Sequence, residues 1–419
     1  MNLLSTPSLV ESPFIIVKIG KYTFGHCDKK YINEMSTKVT FPNFMKSISI
    51  VKVNGAVNTY IIQMEYGITQ NDDPNMLDKV FGSVANTRKI TISYGDWSSP
   101  SFIYREEEAI ITKVTSGVDF SSSRITYNIS CTSSSLALRA GSYNFPAYSS
   151  KKPSEVIWSL LKNRSYGLYD IFYGMRKESD VKKLGLIAGD DRPVKIEAKQ
   201  KINVVDYLNY LVNCMTSLSD TGNTEMKNSA YHLTIVDTKT GELPGPYFKI
   251  TKVLVGTPLL NSLDTFEVDI GYPGANLVTS FQINNNETWS ILYDYSKEIN
   301  QSSYTYRIND SGELETVYSP NITTSRPLQY TTEADKDWWT KMTQFPITAT
   351  MTLKGLIRPA ILMSYVKINV LFYGNKHISS GLYIITRQQD IIDGSGYRTT
   401  LSLTRVGADT ITASVGTPL

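Results

Sequence analysis

The stretch SGLYIITRQQDIIDGSGYRTTLSLTRV, residues 380–406, decides the fold. β-branched and aromatic residues fill both arms, and Gly394-Ser395-Gly396 punctuates them, so it reads as two strands joined by a tight turn. It carries no catalytic motif: the GxSxG spacing and the strand-to-helix context of a nucleophile elbow are both missing. A hairpin without chemistry invites a search for a second copy.

The second copy lies 274 positions earlier. Sliding residues 110–130 onto 384–404 without a gap aligns Ile110, Ile111, Thr112, Asp119, Ser121, Arg124 and Thr126 with identical residues at 384, 385, 386, 393, 395, 398 and 400. Upstream, Tyr94-Gly95-Asp96 corresponds to Tyr373-Gly374-Asn375, after a loop that differs by about five residues. We read the match as an internal duplication and expect two similar β-barrel domains, since closure removes unpaired strand edges.

Composition agrees with a β-rich chain. The 419 residues exceed one ordinary core and imply several domains. The 27 Tyr and the many Ser, Thr, Ile and Val suit half-buried pleated surfaces. A net charge of +3 without a Lys/Arg run argues against electrostatic capture of nucleic acid. Cys27, Cys131 and Cys214 are odd in number and widely spaced, so reduced thiols are expected rather than a disulfide frame or a zinc knuckle. The N-terminal residues show no signal-peptide pattern, and no window of 18 apolar residues occurs.

Outside the two hairpins, residues 13–135 alternate like strands, with Asn54-Gly55 as a hairpin turn. Two amphipathic helices interrupt the β pattern. One lies in 151–167, with Val156, Ile157, Leu160 and Leu161 on one face; the other lies in 201–218, with Asn203 as N-cap and Asp206 in its first turn. Short helices are expected around 76–81 and at 332–342. The fold class expected is mainly β with a smaller α+β part. The boundaries are 1–148 for the first barrel, 149–238 for the α+β block, 239–278 with 346–410 for the second barrel, 279–345 for an insertion and 411–419 for a tail.

Catalytic constellations are not evident. His26, His232 and His377 lack metal-ligand spacing, and neither a Walker loop nor GxGxxG occurs. Glu106-Glu107-Glu108 and Asp190-Asp191 read as solvated loop charges rather than a catalytic carboxylate pair. Trp338 and Trp339 offer stacking surface for a sugar but sit at helical spacing and are expected to pack inward. No enzyme activity, metal or cofactor is expected.

Residues 353–406, LKGLIRPAILMSYVKINVLFYGNKHISSGLYIITRQQDIIDGSGYRTTLSLTRV, resemble the C-terminal part of the central baseplate hub proteins of contractile-tailed phages. Related hubs stand at the base of type VI secretion spikes and other contractile injection systems. The likeness lies in a Lys-Gly-Leu strand, an apolar strand, a Tyr-Gly turn, and Ser-Gly-x-Tyr-x-Ile and Gly-Tyr-x-Thr strands. DTFEVDIGYPGANLVTSF and VVDYLNYLVNCM lie where such hubs have comparable pieces.

The resemblance implies two tube-like barrels per chain and a homotrimer. Three chains then present six similar barrels in a ring, matching a hexameric tail tube on one side and a trimeric spike on the other. Implied partners are the chain itself, the tube or tube-initiator protein, the spike and other baseplate proteins, with DNA only in passage. The implied location is the virion tail. Alternatives are another tail component, such as a distal tail or tube-like adaptor, and a carbohydrate-binding or carbohydrate-processing protein. The expected interfaces are the two hairpins, the helical block and the loops at 95–107 and 374–381. Candidate residues there are Tyr94, Asp96, Glu106, Glu107, Glu108, Tyr373, Asn375 and His377.

Overall fold

The computed structural model describes residues 13–26, 41–67, 89–96, 103–133, 137–163, 191–215, 228–239, 247–255, 265–271, 277–285, 304–308, 314–318, 347–354, 362–377 and 379–408, apart from single positions within these ranges, together with 75, 80–81 and 165. The expected helix at 332–342, with Trp338 and Trp339, lies outside them. Of the expected helix at 76–81, Val80 and Phe81 are described, and both are helical.

The first region contains β1 (Pro13–Ile19), β2 (Tyr22–His26), β3 (Phe41–Pro42), β4 (Met45–Val53), β5 (Thr59–Gly67), β6 (Lys89–Asp96), β7 (Ile103–Asp119) and β8 (Arg124–Ser133). Alternation sets the faces: in β5 Tyr60, Ile62, Met64 and Tyr66 point inward, while Ile61 and Gln63 point out. The strands lie in the order β4-β5-β8-β7-β6-β1-β2-β3, and β2 comes back against β4. The sheet thereby curls around a first core that includes Ile48, Tyr60, Ile62, Ile92, Tyr127 and Ile129.

The middle region holds α1 (Ala137–Ala140), β9 (Tyr143–Phe145), β10 (Tyr148–Lys151), α2 (Pro153–Lys162), β11 (Val194–Ile196), β12 (Lys199–Ile202), α3 (Val204–Asn213), β13 (Asn228–Val236), β14 (Thr238–Lys239) and β15 (Tyr247–Val255). Pro153 opens α2, where a missing N–H costs nothing. Asn203 caps α3 as expected, its Oδ1 accepting from the Asp206 N–H at 2.9 Å. The buried stripes of α2 and α3 form a separate core, in which Phe145 stacks on Tyr207 at 3.7 Å. Ile250 of β15 belongs to this core although residues 239–278 were expected in the second barrel; pairing of β15 with β13 carries it there.

The last region comprises β16 (Thr265–Ile270), β17 (Val278–Asn285), β18 (Tyr304–Ile308), β19 (Leu314–Tyr318), β20 (Ile347–Leu353), β21 (Tyr365–Phe372), β22 (Asn375–Lys376), β23 (Gly381–Asp393) and β24 (Gly396–Ala408). Here β17-β20-β24-β23 run in order, β21 joins β23, and β16 lies parallel to β21. They surround a third core with Met351, Val366, Ile368, Tyr383, Leu401 and Leu403. Residues 279–285, expected in the insertion, form most of β17 and pair with β20 in the main sheet.

Strand β23 links the two ends of the chain. Its first part, Gly381–Ile384, pairs with β21; its second part, Arg387–Asp393, pairs on the same side with β4. One continuous sheet therefore joins the first and last regions through a β23–β4 ladder.

The same local geometry occurs in both regions. The ladder of β7 with β8 shifts register between Ile111 and Lys113, and that of β23 with β24 shifts between Ile385 and Arg387, each 274 residues on. The bulged Thr112 and Thr386 each donate their hydroxyl across the ladder, to the carbonyls of Ser130 (3.0 Å) and Ser402 (3.2 Å). A second bulge falls between Met45 and Ser47 in β4 and between Val278 and Ser280 in β17. Bulges bend a strand at a fixed point, so coincidence at both places fixes the correspondence: β4, β5, β8 and β7 match β17, β20, β24 and β23.

This register corrects the gap-free slide in one respect. The offset of 274 holds along β7 and β23, but Cys131 corresponds to Leu403, an offset of 272, because the second turn is two residues shorter. The shared Arg124 and Arg398 are therefore not ladder equivalents. Arg398 donates to Asp393 at 2.6 Å, whereas Arg124 pairs with Glu65.

Candidate assembly surfaces

Glu107 was expected as a solvated loop charge; it is completely buried in β7. Its carboxylate accepts from the ammonium of Lys52 (β4) and the hydroxyls of Tyr60 (β5) and Tyr94 (β6), the last at 2.6 Å. Burial pushes the carboxyl up, but the Lys52 charge and the three hydrogen bonds outweigh it and hold Glu107 below the usual carboxylate range. Sequence reading missed this because three consecutive glutamates look solvated, yet strand alternation turns the middle one inward. Asp191 was misread likewise. It is buried and accepts from the Ser154 N–H at 2.9 Å, at the start of α2, and burial raises its carboxyl.

The remaining interface candidates lie in different settings. Tyr94 is buried in the first core and is no surface residue. Glu106 and Glu108 are half-buried on the opposite face of β7 from Glu107. Asp96 ends β6, pairing with Ile103 of β7. Tyr373 is fully exposed with φ +51°, just before Asn375 opens β22. His377 is exposed, stands edge-on to Phe372 at 5.5 Å, and shares a 2.7 Å hydrogen bond between Nδ1 and the Ser379 hydroxyl.

The β23–β4 ladder joins the two regions over seven residue pairs. Ile392 faces Ile48, Asp390 faces Ile50 and Gln388 faces Lys52. The buried Asp390 accepts from Gln388 Nε2 at 2.7 Å and from the Thr399 hydroxyl at 2.6 Å, so each carboxylate oxygen has a hydrogen-bond donor. Ile392 and Tyr397, from the tip of the second hairpin, enter the first core, where Tyr397 meets Tyr94 edge-on at 6.5 Å. Asn54 fixes the far end, its N–H donating to the Thr386 carbonyl and its side chain accepting from Thr234 of β13. An apolar and hydrogen-bonded ladder of this kind positions two sheet regions.

Among the described residues no three His, Cys, Asp or Glu side chains gather to hold a metal ion, and no helix is long and apolar enough to cross a membrane.

No family model matches the chain, and no curated protein matches it in sequence. Solved structures do share its fold. The 43 kDa tail protein of prophage MuSo2 from Shewanella oneidensis superposes with a TM-score of 0.52 at 12% identity, over 95% of this chain and 97% of that one. A tail protein from Neisseria meningitidis MC58 gives 0.51 at 10% identity, over 94% and 97%. The chain thus shares a mainly β fold with these two tail proteins, aligned over almost its whole length.

Proposed function

We propose that this chain is a structural component of a phage tail, the homotrimeric hub of the baseplate. In this reading two related tube-like regions per chain, the product of an internal duplication, give three chains a ring of six. The ring adapts a hexameric tail tube to a trimeric spike and surrounds the path of ejected DNA. The observation that carries the reading is the edge-to-edge joining of two matching four-strand units through β23 and β4. In this reading the same sheet continuation extends a tube wall from unit to unit. The fold shared with a prophage tail protein and a second tail protein supports it.

The test is solution mass by light scattering, with negative-stain images of the same peak. The expected result is three times the 47.0 kDa of one chain and a ring with six lobes. A chain that stays monomeric at high concentration, alone and with its tube and spike proteins, overturns the hub reading.

A further inference from the structure

The correspondence between the two regions leaves one ladder without its counterpart. On the β23 side, the neighbour β21 stops at Ile384 and β4 takes over from Arg387 to Asp393. On the β7 side, the neighbour β6 stops at Ile110, which is 274 residues earlier, and among the described residues no strand follows along Lys113–Asp119. The strand that corresponds to β4 is β17, and among the described residues β17 pairs with β20 alone. Among the described residues the chain therefore presents two complementary edges, β17 at the end of the strand order and the Lys113–Asp119 half of β7 beyond the reach of β6.

Burial tells the same story. Gln388, Asp390 and Ile392 are buried beneath β4, whereas their counterparts Val114, Ser116 and Val118 are half-buried, exposed and exposed. Val118 is 53% exposed where Ile392 is 1%. On the opposite edge, Ile48 and Ile50 of β4 are fully buried, while their counterparts Phe281 and Ile283 of β17 are only half-buried against the third core. Exposed edges are ordinarily blunted by charge or proline, and β17 (VTSFQINN) has neither. Its bulge is no obstacle, because β4 has the same bulge and pairs beyond it.

We infer that β7 of one copy pairs antiparallel with β17 of a second copy, in the register of the β23–β4 ladder. Transferring that register sets Val118 opposite Phe281, Ser116 opposite Ile283 and Thr115 opposite Asn284. Val118 then enters the neighbour's third core, as Ile392 enters the first core within the chain. The interface is head-to-tail, each copy giving one edge and receiving the other, which under the hub reading closes into a ring of three rather than an open filament. The presence of a second copy rests on the hub reading; the register rests on the two ladders alone.

Residues opposite each other in an antiparallel ladder stand about 4.5–5.5 Å apart at Cα, within reach of a disulfide. Thr115 and Asn284 are both exposed, so Thr115→Cys and Asn284→Cys leave the cores intact. The background carries Cys27→Ser and Cys214→Ser; Cys131 is buried and its thiol is pushed up to about 12, which keeps it unreactive.

Mixing the two single variants under mild oxidation is expected to link unlike chains, while neither variant alone links through this pair. The double variant is expected to give a covalent ladder that ends at three chains. Thr115→Cys mixed with Gln282→Cys, two residues out of register, is expected to link at least tenfold less. Assembly without the Thr115–Asn284 link, equal linking out of register, or a link within one chain overturns the pairing and leaves the hub reading standing. Unlinked monomers at every concentration, alone and with the tube and spike proteins, overturn both.

Discussion

Val118 and Ile392 hold the same place in two hairpins 274 residues apart, yet Val118 is 53% exposed and Ile392 1%. The difference is the presence of β4 beside Ile392. It separates two kinds of stability, that of the dispersed chain and that of the assembly. Ile392→Ala removes buried methyl groups from the first core and is expected to cost roughly 2–4 kcal/mol in urea unfolding of the dispersed chain. Val118→Ala is expected to change that unfolding by less than about 0.5 kcal/mol. An equal loss for both would show that Val118 is already covered within one chain.

The Lys52–Glu107 pair, with Tyr60 and Tyr94, ties β4 to β7, β5 and β6 inside the first region. Glu107→Gln leaves the Lys52 ammonium buried without its counter-charge and is expected to cost about 3–5 kcal/mol. Lys52→Met strands the carboxylate and is expected to cost a similar amount. The double variant Lys52→Met, Glu107→Gln is expected to recover most of that loss, since no uncompensated charge remains. Additive losses in the same urea series would mean that the two side chains act independently.

Much of this was legible in the chain and some was not. The hairpin at 380–406, the Asn203 cap and the buried stripes of α2 and α3 follow from short-range periodicity, which depends on neighbours a few residues away. The gap-free slide sets β7 on β23 at the offset their bulges share, and sets β8 on β24 two residues off, because a two-residue change in a turn is invisible to an ungapped slide. Glu107 and Asp191 were misjudged because burial of a charge is decided by partners far away in sequence: Lys52 lies 55 residues from Glu107. The β23–β4 junction is harder still. It joins residues more than 300 apart, and nothing in either strand names its partner. Of the candidate interface residues, Tyr94 and Glu107 are interior; the hairpin holding β7 is an expected interface and 277–284 an expected strand, but neither sequence shows which edge stays open.

Gly271 follows β16 with φ +82°, and a Cβ there would lie 2.3 Å from the Leu371 carbonyl oxygen of β21. Both the backbone conformation and the space exclude a side chain. Gly271→Ala is expected to destabilise by about 1–3 kcal/mol and to loosen the parallel β16–β21 ladder. Hydrogen exchange is the sensitive measurement: amides of Thr265–Ile270 should lose protection before those of β23 and β24. Unchanged protection would mean that the ladder does not depend on this close approach.

Acid stability follows from the carboxylates. Glu107 has a folded-state value below the ordinary 4.5, so its contribution is fully present above about pH 4.5 and is lost as pH falls through the lower folded value. Asp393, buried in part but held down by Ser395 and Arg398, acts in the same direction below its ordinary 3.8. Asp191 acts oppositely. Burial raises its value, so the folded state favours the protonated form, and stability is lost as pH rises from its ordinary 3.8 through the raised value. The expected urea midpoint therefore falls on the acid side below pH 4.5, and Glu107→Gln should flatten that limb while lowering the plateau at pH 7. Asp191→Asn keeps an oxygen acceptor for the Ser154 N–H and removes the buried charge. It is expected to leave the pH 7 midpoint unchanged or higher. A wild-type midpoint that does not fall below pH 4.5, or an acid limb as steep in Glu107→Gln as in wild type, would exclude Glu107 as the group that carries it.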